Sequence, residues 1–404
     1  MPDRLLKDRT RKPPYVRPYQ IAMDRLQDRE MRTREDILQQ ARALTDEVSA
    51  GSQVVHEAFA YGPTGLISTH THYFPGFAIL LSLPLGTGIV AAPASNGDIR
   101  FEGGDRSWRR TDVDDTAPAW VRVVDATLRA FGCPPDETSF VVASTVYPYC
   151  RDAYMAALAV AASDVAMQVS GVHVGEHPRV DRLRKIVETE TGLPFGSANL
   201  IASIHAEEGR YLLVDTQTFE HLPVLIDGEE DIGWGLALVE CPPPVTPDEY
   251  ALRRESGDEA VVLLRQIFPR LSSLRELEHR DLDRALSVLP ERLRPTVRHL
   301  VTENRRVQKV VAALRRKDWQ LLGALLLMSH ASHRTDWQDT TPQTDYIVGQ
   351  VEESTIDGMF GGCTSSRGGC AVVCGHPFSV PQFLDQLETR FGTTFGTPFE
   401  NFLI

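Results

Sequence analysis

Two imidazoles one residue apart, His70 and His72 in THTHYFPG (residues 69–76), are the first side chains whose types and spacing suit chemistry. Histidine is the one side chain whose unperturbed pKa lies near neutrality, so such a pair can hold a metal, pass protons or donate hydrogen bonds. The same pair also reads as plain polar turn residues. Cys150 beside Arg151 is a second candidate. A neighbouring cation favours the nucleophilic thiolate, whereas the alternative is a small buried hydrophobe. Ser329, His330, Ser332, His333 and Arg334 supply the residue types of a catalytic triad within six positions, set against a plain role in helix packing. His205 reads as a surface histidine.

These residues need elements to position them. The first 50 residues are polar and charged, and MRTREDILQQARALTDEV repeats apolar residues at helical spacing, so an arm followed by a surface helix is expected. From Val54 to Val90, short apolar strands alternate with Gly/Pro turns. DAYMAALAVAASDVAMQV, residues 152–169, is apolar all round and reads as a buried helix. GRYLLVDTQ and GGCAVVC read as strands. Beyond Pro242–Pro244 the text is mainly helical, which gives an α+β protein in two lobes. The expected division is an arm and helix at 1–50, an N-terminal lobe at 51–241 and a C-terminal lobe at 242–404, parted by CPPPVTPDE.

Composition bounds the function. The chain has 404 residues, 42% hydrophobic and 24% charged, as soluble globular proteins do. Its formal charge of -13 repels phosphate backbones, so no nucleic-acid partner is expected. No apolar run approaches the roughly 20 residues of a bilayer span. MPDRLLKDRTRK is followed by no apolar core, so no membrane partner and a cytoplasmic location are expected. The 6 cysteines are irregularly spaced and read as reduced thiols.

Four segments, in order along the chain, carry a family resemblance. GPTGLISTHTHYFPGF resembles the galactokinase signature G-R-V-N-L-I-G-E-H-T-D-Y-x-x-G, and DEYALRRE that family's Y-N-x-R-R segment. RHLVTENRRV resembles its R-x-x-H-x-x-x-E-x-x-R-V helix, and SHASHRTDW the S-H-x-S-L-R-x-x-Y stretch. The chain is thereby identified as a galactokinase-like member of the superfamily of galactokinase, homoserine, mevalonate and phosphomevalonate (GHMP) kinases, with the two-lobed fold of that superfamily. The resemblance implies one cleft lined by residues 62–73, 145–153, 196–200 and 361–370.

Departures concentrate where that family carries function. The catalytic arginine position falls on Pro63, and the sugar-binding glutamate and aspartate positions fall on Thr69 and His72. The catalytic aspartate falls on Asn199 in GSANL, and an amide cannot take a proton as a carboxylate does. The Gly-rich phosphate loop becomes TVYPYCRDAYM, with no glycine and with Pro148, which lacks an N–H. G-G-G-F-G-G-C becomes TSSRGGC. Conventional binding of ATP and Mg is therefore not expected, although Asp152 offers a substitute carboxylate within the loop.

His70, His72, Asn199, Cys150 and Asp152 are the candidate catalytic residues, with Thr69, Tyr73 and the family-matched Tyr250 as candidate ligand contacts. Because the resemblance brings their segments together, His70, His72, Cys150 and Cys363 form a candidate metal set suited to zinc. The function expected is a galactokinase-like cleft repurposed to act on or bind a sugar, cyclitol or similar polar small molecule. The alternatives are a non-catalytic sugar-binding or regulatory protein, and a divergent sugar kinase with an unusual nucleotide site.

Overall fold

The computed structural model describes residues 33–48, 56–67, 70, 74–94, 97–101, 107–226, 231–397 and 400–404. Thr69, His72, Tyr73 and the expected arm over residues 1–32 lie outside the described residues.

The first layer is a sheet with strand order β4-β3-β5-β2-β6-β7, to which β1 adds by pairing with β2. Its strands are β1 (His56–Ile67), β2 (Phe77–Pro93), β3 (Asp98–Phe101), β4 (Ser107–Arg109), β5 (Thr138–Ser144), β6 (Tyr211–Asp215) and β7 (His221–Val224). The expected run of short strands is in fact two long ones. Proline is tolerated because of where it falls: Pro63 sits at a register irregularity in β1. Pro84 lies between the stretch of β2 that pairs with β6, Phe77–Leu81, and the stretch that pairs with β5, Thr87–Pro93. Neither position needs a ladder N–H.

One face of this sheet is covered by α1 (Arg34–Val48), which buries Ile37, Leu38 and Ala41 against Val90, Val141 and Ala143. That helix is a packed element rather than a surface one. Behind the other face lie α2 (Ala119–Ala130), α3 (Arg151–Ser170), α4 (Glu176–Thr191) and α5 (Ser197–Ile204). The Ala-rich α3 is long and apolar enough in composition to cross a membrane. It instead runs through the core against β1, β2, α2 and α5, and small side chains allow that close approach on every side.

The second sheet has order β11-β8-β10-β9, all antiparallel, from β8 (Gly233–Leu238), β9 (Met359–Ser365), β10 (Cys370–Gly375) and β11 (Glu400–Leu403). β8 precedes the boundary expected at residue 242, yet pairs with β10 and β11. Nearly every residue of β8 is buried, which suits a strand covered on both faces. α6 (Pro247–Leu264) and α7 (Leu282–Val288) pack on α8 (Arg294–Arg316), which packs in turn on α9 (Trp319–Ser332), while α9, α10 (Pro342–Glu353) and α11 (Ser379–Phe395) cover this sheet. α6 starts at a capping box, with Thr246 Oγ1 accepting from the Glu249 N–H while Thr246 N–H donates to Glu249 Oε2.

Candidate functional site

The four segments expected to line one cleft do converge. Thr64 Oγ1 and Ser365 Oγ lie 3.0 Å apart, joining β1 to β9. Gly62 packs on Val146, and Gly369 backs so closely onto Tyr149 that an added Cβ would sit 1.9 Å from its carbonyl oxygen. Arg151 donates to the carbonyls of Arg367 at 2.7 Å and Cys241 at 2.7 Å.

At the centre stands Arg367, fully buried in the turn between β9 and β10, where Ser366 and Arg367 both have positive φ. That conformation is costly for residues other than glycine and persists only when surroundings hold it. Here they do. Arg367 Nε lies 3.0 Å from Asp152 Oδ1, Nη2 donates to the Pro194 carbonyl at 2.6 Å, and the guanidinium lies 4.9 Å from the Tyr250 ring centroid. Asp152 is in the first turn of α3, Pro194 leads into α5 with its buried Asn199, and Tyr250 is buried in the first turn of α6. One side chain thus ties together the starts of three helices. In the resembled G-G-G-F-G-G-C pattern its position carries phenylalanine, so the change was visible but its partners were not.

His70 heads a second group. Its ring is fully buried and stacks on Trp337 with centroids 4.7 Å apart, 5.7 Å from Tyr250. Its Nε2 meets Asp339 Oδ2, and the other carboxylate oxygen, Oδ1, lies 2.8 Å from His333 Nδ1. His299 stacks on the same indole and bonds Ser332 Oγ at 2.9 Å. The local cause is a single π-helical turn, His333–Trp337, that follows α9 and ends at Gln338 with φ 58. This turn brings Gln338 N–H 2.6 Å from the His333 carbonyl and sets Asp339 beside His333. In the resembled S-H-x-S-L-R-x-x-Y stretch the positions of His333 and Trp337 carry leucine and tyrosine.

Electrostatics assigns the protons. Burial lowers the His70 pKa to about 4, against the pull of Asp339. Burial alone would raise the Asp339 carboxyl, but His333 and His70 beside it hold it well below the usual range. Burial opposes charge on His333 as well, yet Asp339 wins and raises its pKa. His299 is held well below normal by burial and by His333. At neutral pH His70 is therefore a neutral imidazole donating to an ionised Asp339, because a carboxylate can only accept. Burial, with the Asp339 charge nearby, pushes the Tyr250 phenol up, so it keeps its proton. Its hydroxyl has no hydrogen-bond partner among the described residues.

The other candidates separate. Cys150 stands at the start of α3 without a side-chain hydrogen bond to the helix N–H groups, and hydrogen bonding to Cys370 together with burial pushes its thiol well up. That opposes the thiolate a nucleophile needs. Cys363 lies in β9, where burial and Glu303 raise it. Among the described residues, His70, His333 and Asp339 are close enough to share an ion, and no cysteine joins such a group. The structure thus gathers different donors around His70 than the expected set with Cys150 and Cys363. Ser329, His330 and Ser332 serve packing contacts to Glu303, the Thr364 N–H and His299. Arg253 spans from α6 to the π-helical turn, over both Tyr250 and Trp337 and onto the Gln338 carbonyl.

No family model matches the chain. It is 26% identical over 354 residues to galactokinase of Roseiflexus sp. (strain RS-1), spanning 83% of this chain and 88% of that one. It is 24% identical over 368 residues to human galactokinase, spanning 87% and 91%. Its fold matches the Lactococcus lactis galactokinase complexed with galactose at TM-score 0.80 and 21% identity, covering 91% and 97% of the two chains. It matches the Methanococcus jannaschii mevalonate kinase at TM-score 0.57 and 11% identity, covering 87% and 98%.

Proposed function

We propose, starting from this chain's place in the GHMP kinase superfamily as a galactokinase-like protein, that it binds a sugar or similar polar small molecule between Tyr250, Asn199 and His70. Conventional phosphate transfer from ATP is lost in this reading. The observation that carries it is the Arg367–Asp152 pair. In the resembled family a Gly-rich loop presents backbone N–H groups to phosphate at a helix start. Here that helix start carries Pro148, and its Asp152 is held by Arg367 from the facing turn. Asn199 can donate and accept hydrogen bonds but takes no proton from a sugar hydroxyl. Loss of a general base typically costs roughly 10² to 10⁴ in rate.

The residues present support binding by hydrogen bonds. Tyr250 offers a hydroxyl with no hydrogen-bond partner among the described residues, and Asn199 an amide. Neutral His70, oriented by Asp339, is held in place for a polar ligand, with Thr69, His72 and Tyr73 in the same segment. A second reading, a non-kinase reaction, rests on the His70–Asp339 contact, since a carboxylate-oriented imidazole can exchange protons. Cytoplasmic location belongs to the same proposal.

Calorimetry with a panel of monosaccharides, cyclitols and Mg-ATP tests this reading. Saturable binding of a sugar-like ligand without measurable binding of Mg-ATP is the expected result. A micromolar dissociation constant for Mg-ATP, or phosphate transfer to galactose above background in the parent chain, overturns it.

A further inference from the structure

We infer that Glu176, His205 and His221 form a binding site for a divalent transition ion of the zinc class, on the surface of the N-terminal sheet layer and apart from the interlobe site. The three residues come from three elements: Glu176 opens α4, His205 caps the end of α5, and His221 opens the edge strand β7. His205 Nε2 lies 3.0 Å from Glu176 Oε2, and His221 Nδ1 lies 3.9 Å from Oε1 of the same carboxylate. The two imidazoles stack with centroids 3.7 Å apart and planes 22° apart, so their nitrogens sit side by side over one carboxylate.

Hydrogen bonding does not account for this arrangement. His205 Nε2 and His221 Nδ1 are both removed from solvent, and neither has a hydrogen-bond partner among the described residues. Although His205 Nε2 is near enough to Glu176, its N–H direction misses the carboxylate oxygen. The three donor atoms lie within 4.8 Å of one another. Zinc–ligand bonds of about 2.0–2.2 Å in a tetrahedron place neighbouring donors roughly 3.3 Å apart. The observed separations of 3.0 and 3.9 Å bracket that value, and an ion enters once the two stacked rings splay so that their in-plane lone pairs converge on it.

The chemistry of the set selects the ion. Two neutral imidazoles and one carboxylate suit zinc, cobalt, nickel or copper, and are poor for magnesium or calcium, which prefer oxygen alone. The buried His70, His333 and Asp339 group differs here, because its carboxylate already receives a hydrogen bond from each imidazole. Occupancy of the surface site ties α4, α5 and β7 together, and α5 also carries Asn199, about 9 Å along the helix axis from His205.

The test uses the full chain stripped with chelator, titrated with zinc by calorimetry and with cobalt by visible absorption. The expected result is one equivalent of zinc bound and cobalt bands of a nitrogen/oxygen tetrahedral or five-coordinate site. Each of Glu176→Gln, His205→Ala and His221→Ala should weaken binding by at least roughly tenfold, with circular dichroism unchanged. His333→Leu should leave binding intact. No binding by the parent, or affinity unchanged in all three surface variants, overturns the inference, as does binding lost only in His333→Leu. Because the readout is metal affinity, it stands or falls independently of the sugar and ATP measurements.

Discussion

Arg367 and Asp152, 215 positions apart in the chain, meet as a buried ion pair with Nε 3.0 Å from Oδ1. Through it the turn between the last long strands is fastened to the first turn of the core helix α3. A buried pair is costly to break, because the survivor is left as an uncompensated charge. Arg367→Ala or Asp152→Leu should therefore lower unfolding free energy by roughly 3–5 kcal/mol. The double variant Arg367→Met/Asp152→Leu should recover most of it. Urea denaturation of all four proteins measures this, and single variants as stable as the parent would refute the role of the pair.

Tyr250→Phe separates ligand binding from stability. The hydroxyl is buried without a hydrogen-bond partner among the described residues, so deleting it should leave the melting temperature unchanged or slightly higher. If the hydroxyl meets the ligand, affinity should fall roughly fivefold to tenfold, the equivalent of about 1–1.5 kcal/mol. Thermal melts and calorimetry on the same preparation read both. A large stability loss with intact affinity would show that the phenol is structural.

Gly369→Ala should destabilise the protein. A Cβ there would lie 1.9 Å from the Tyr149 carbonyl oxygen and 3.0 Å from Arg151 Nη1, so backbone rather than a flexible side-chain end must move. Overpacking of this kind costs typically 1–3 kcal/mol. Gly349→Ala, where an added Cβ meets nothing within 4 Å, is the control. Equal melting temperatures for the two variants would contradict the close contact.

Stability should fall on acidification below about pH 6.5. His70, with its pKa lowered to about 4, and His299, held well below its usual value by burial, stay neutral in the fold, whereas both are protonated in the unfolded chain over that interval. The unfolded state then binds more protons, so stability rises with pH across the window. His333 acts in the opposite sense: its raised pKa contributes stability below its unfolded value that is lost as pH rises through the folded one. Asp339, held low, adds stability above its unfolded pKa that is lost only in stronger acid, as pH falls through the folded value. For His70 alone the effect is about 3 kcal/mol at most. Denaturation at several pH values should show a shallower acid slope in His70→Gln than in the parent.

Much of the architecture was legible in the residues. Four ordered motifs matched the galactokinase pattern, and the comparison of folds agrees, with TM-score 0.80. Residues 152–169 read as a buried helix because small apolar side chains on every face have no other stable place. What failed was local: Gly and Pro between Val54 and Val90 read as turns, but two long strands absorb them at a register irregularity and at the change of partner strand.

By itself the sequence determined the fold and which residue types stand at Pro63, Asn199 and Pro148, because motif order and residue identity are properties of the chain. Only the tertiary structure decided which groups meet around them. His70 and Asp339 are 269 positions apart and meet only because a π-helical turn and a positive φ at Gln338 set Asp339 and His333 against His70. Arg367 in TSSRGGC becomes a buried, paired charge only where Asp152, the Pro194 carbonyl and the Tyr250 ring close around it. A side chain's charge state and partners depend on distance and burial, and those exist only after residues remote in the chain have packed together.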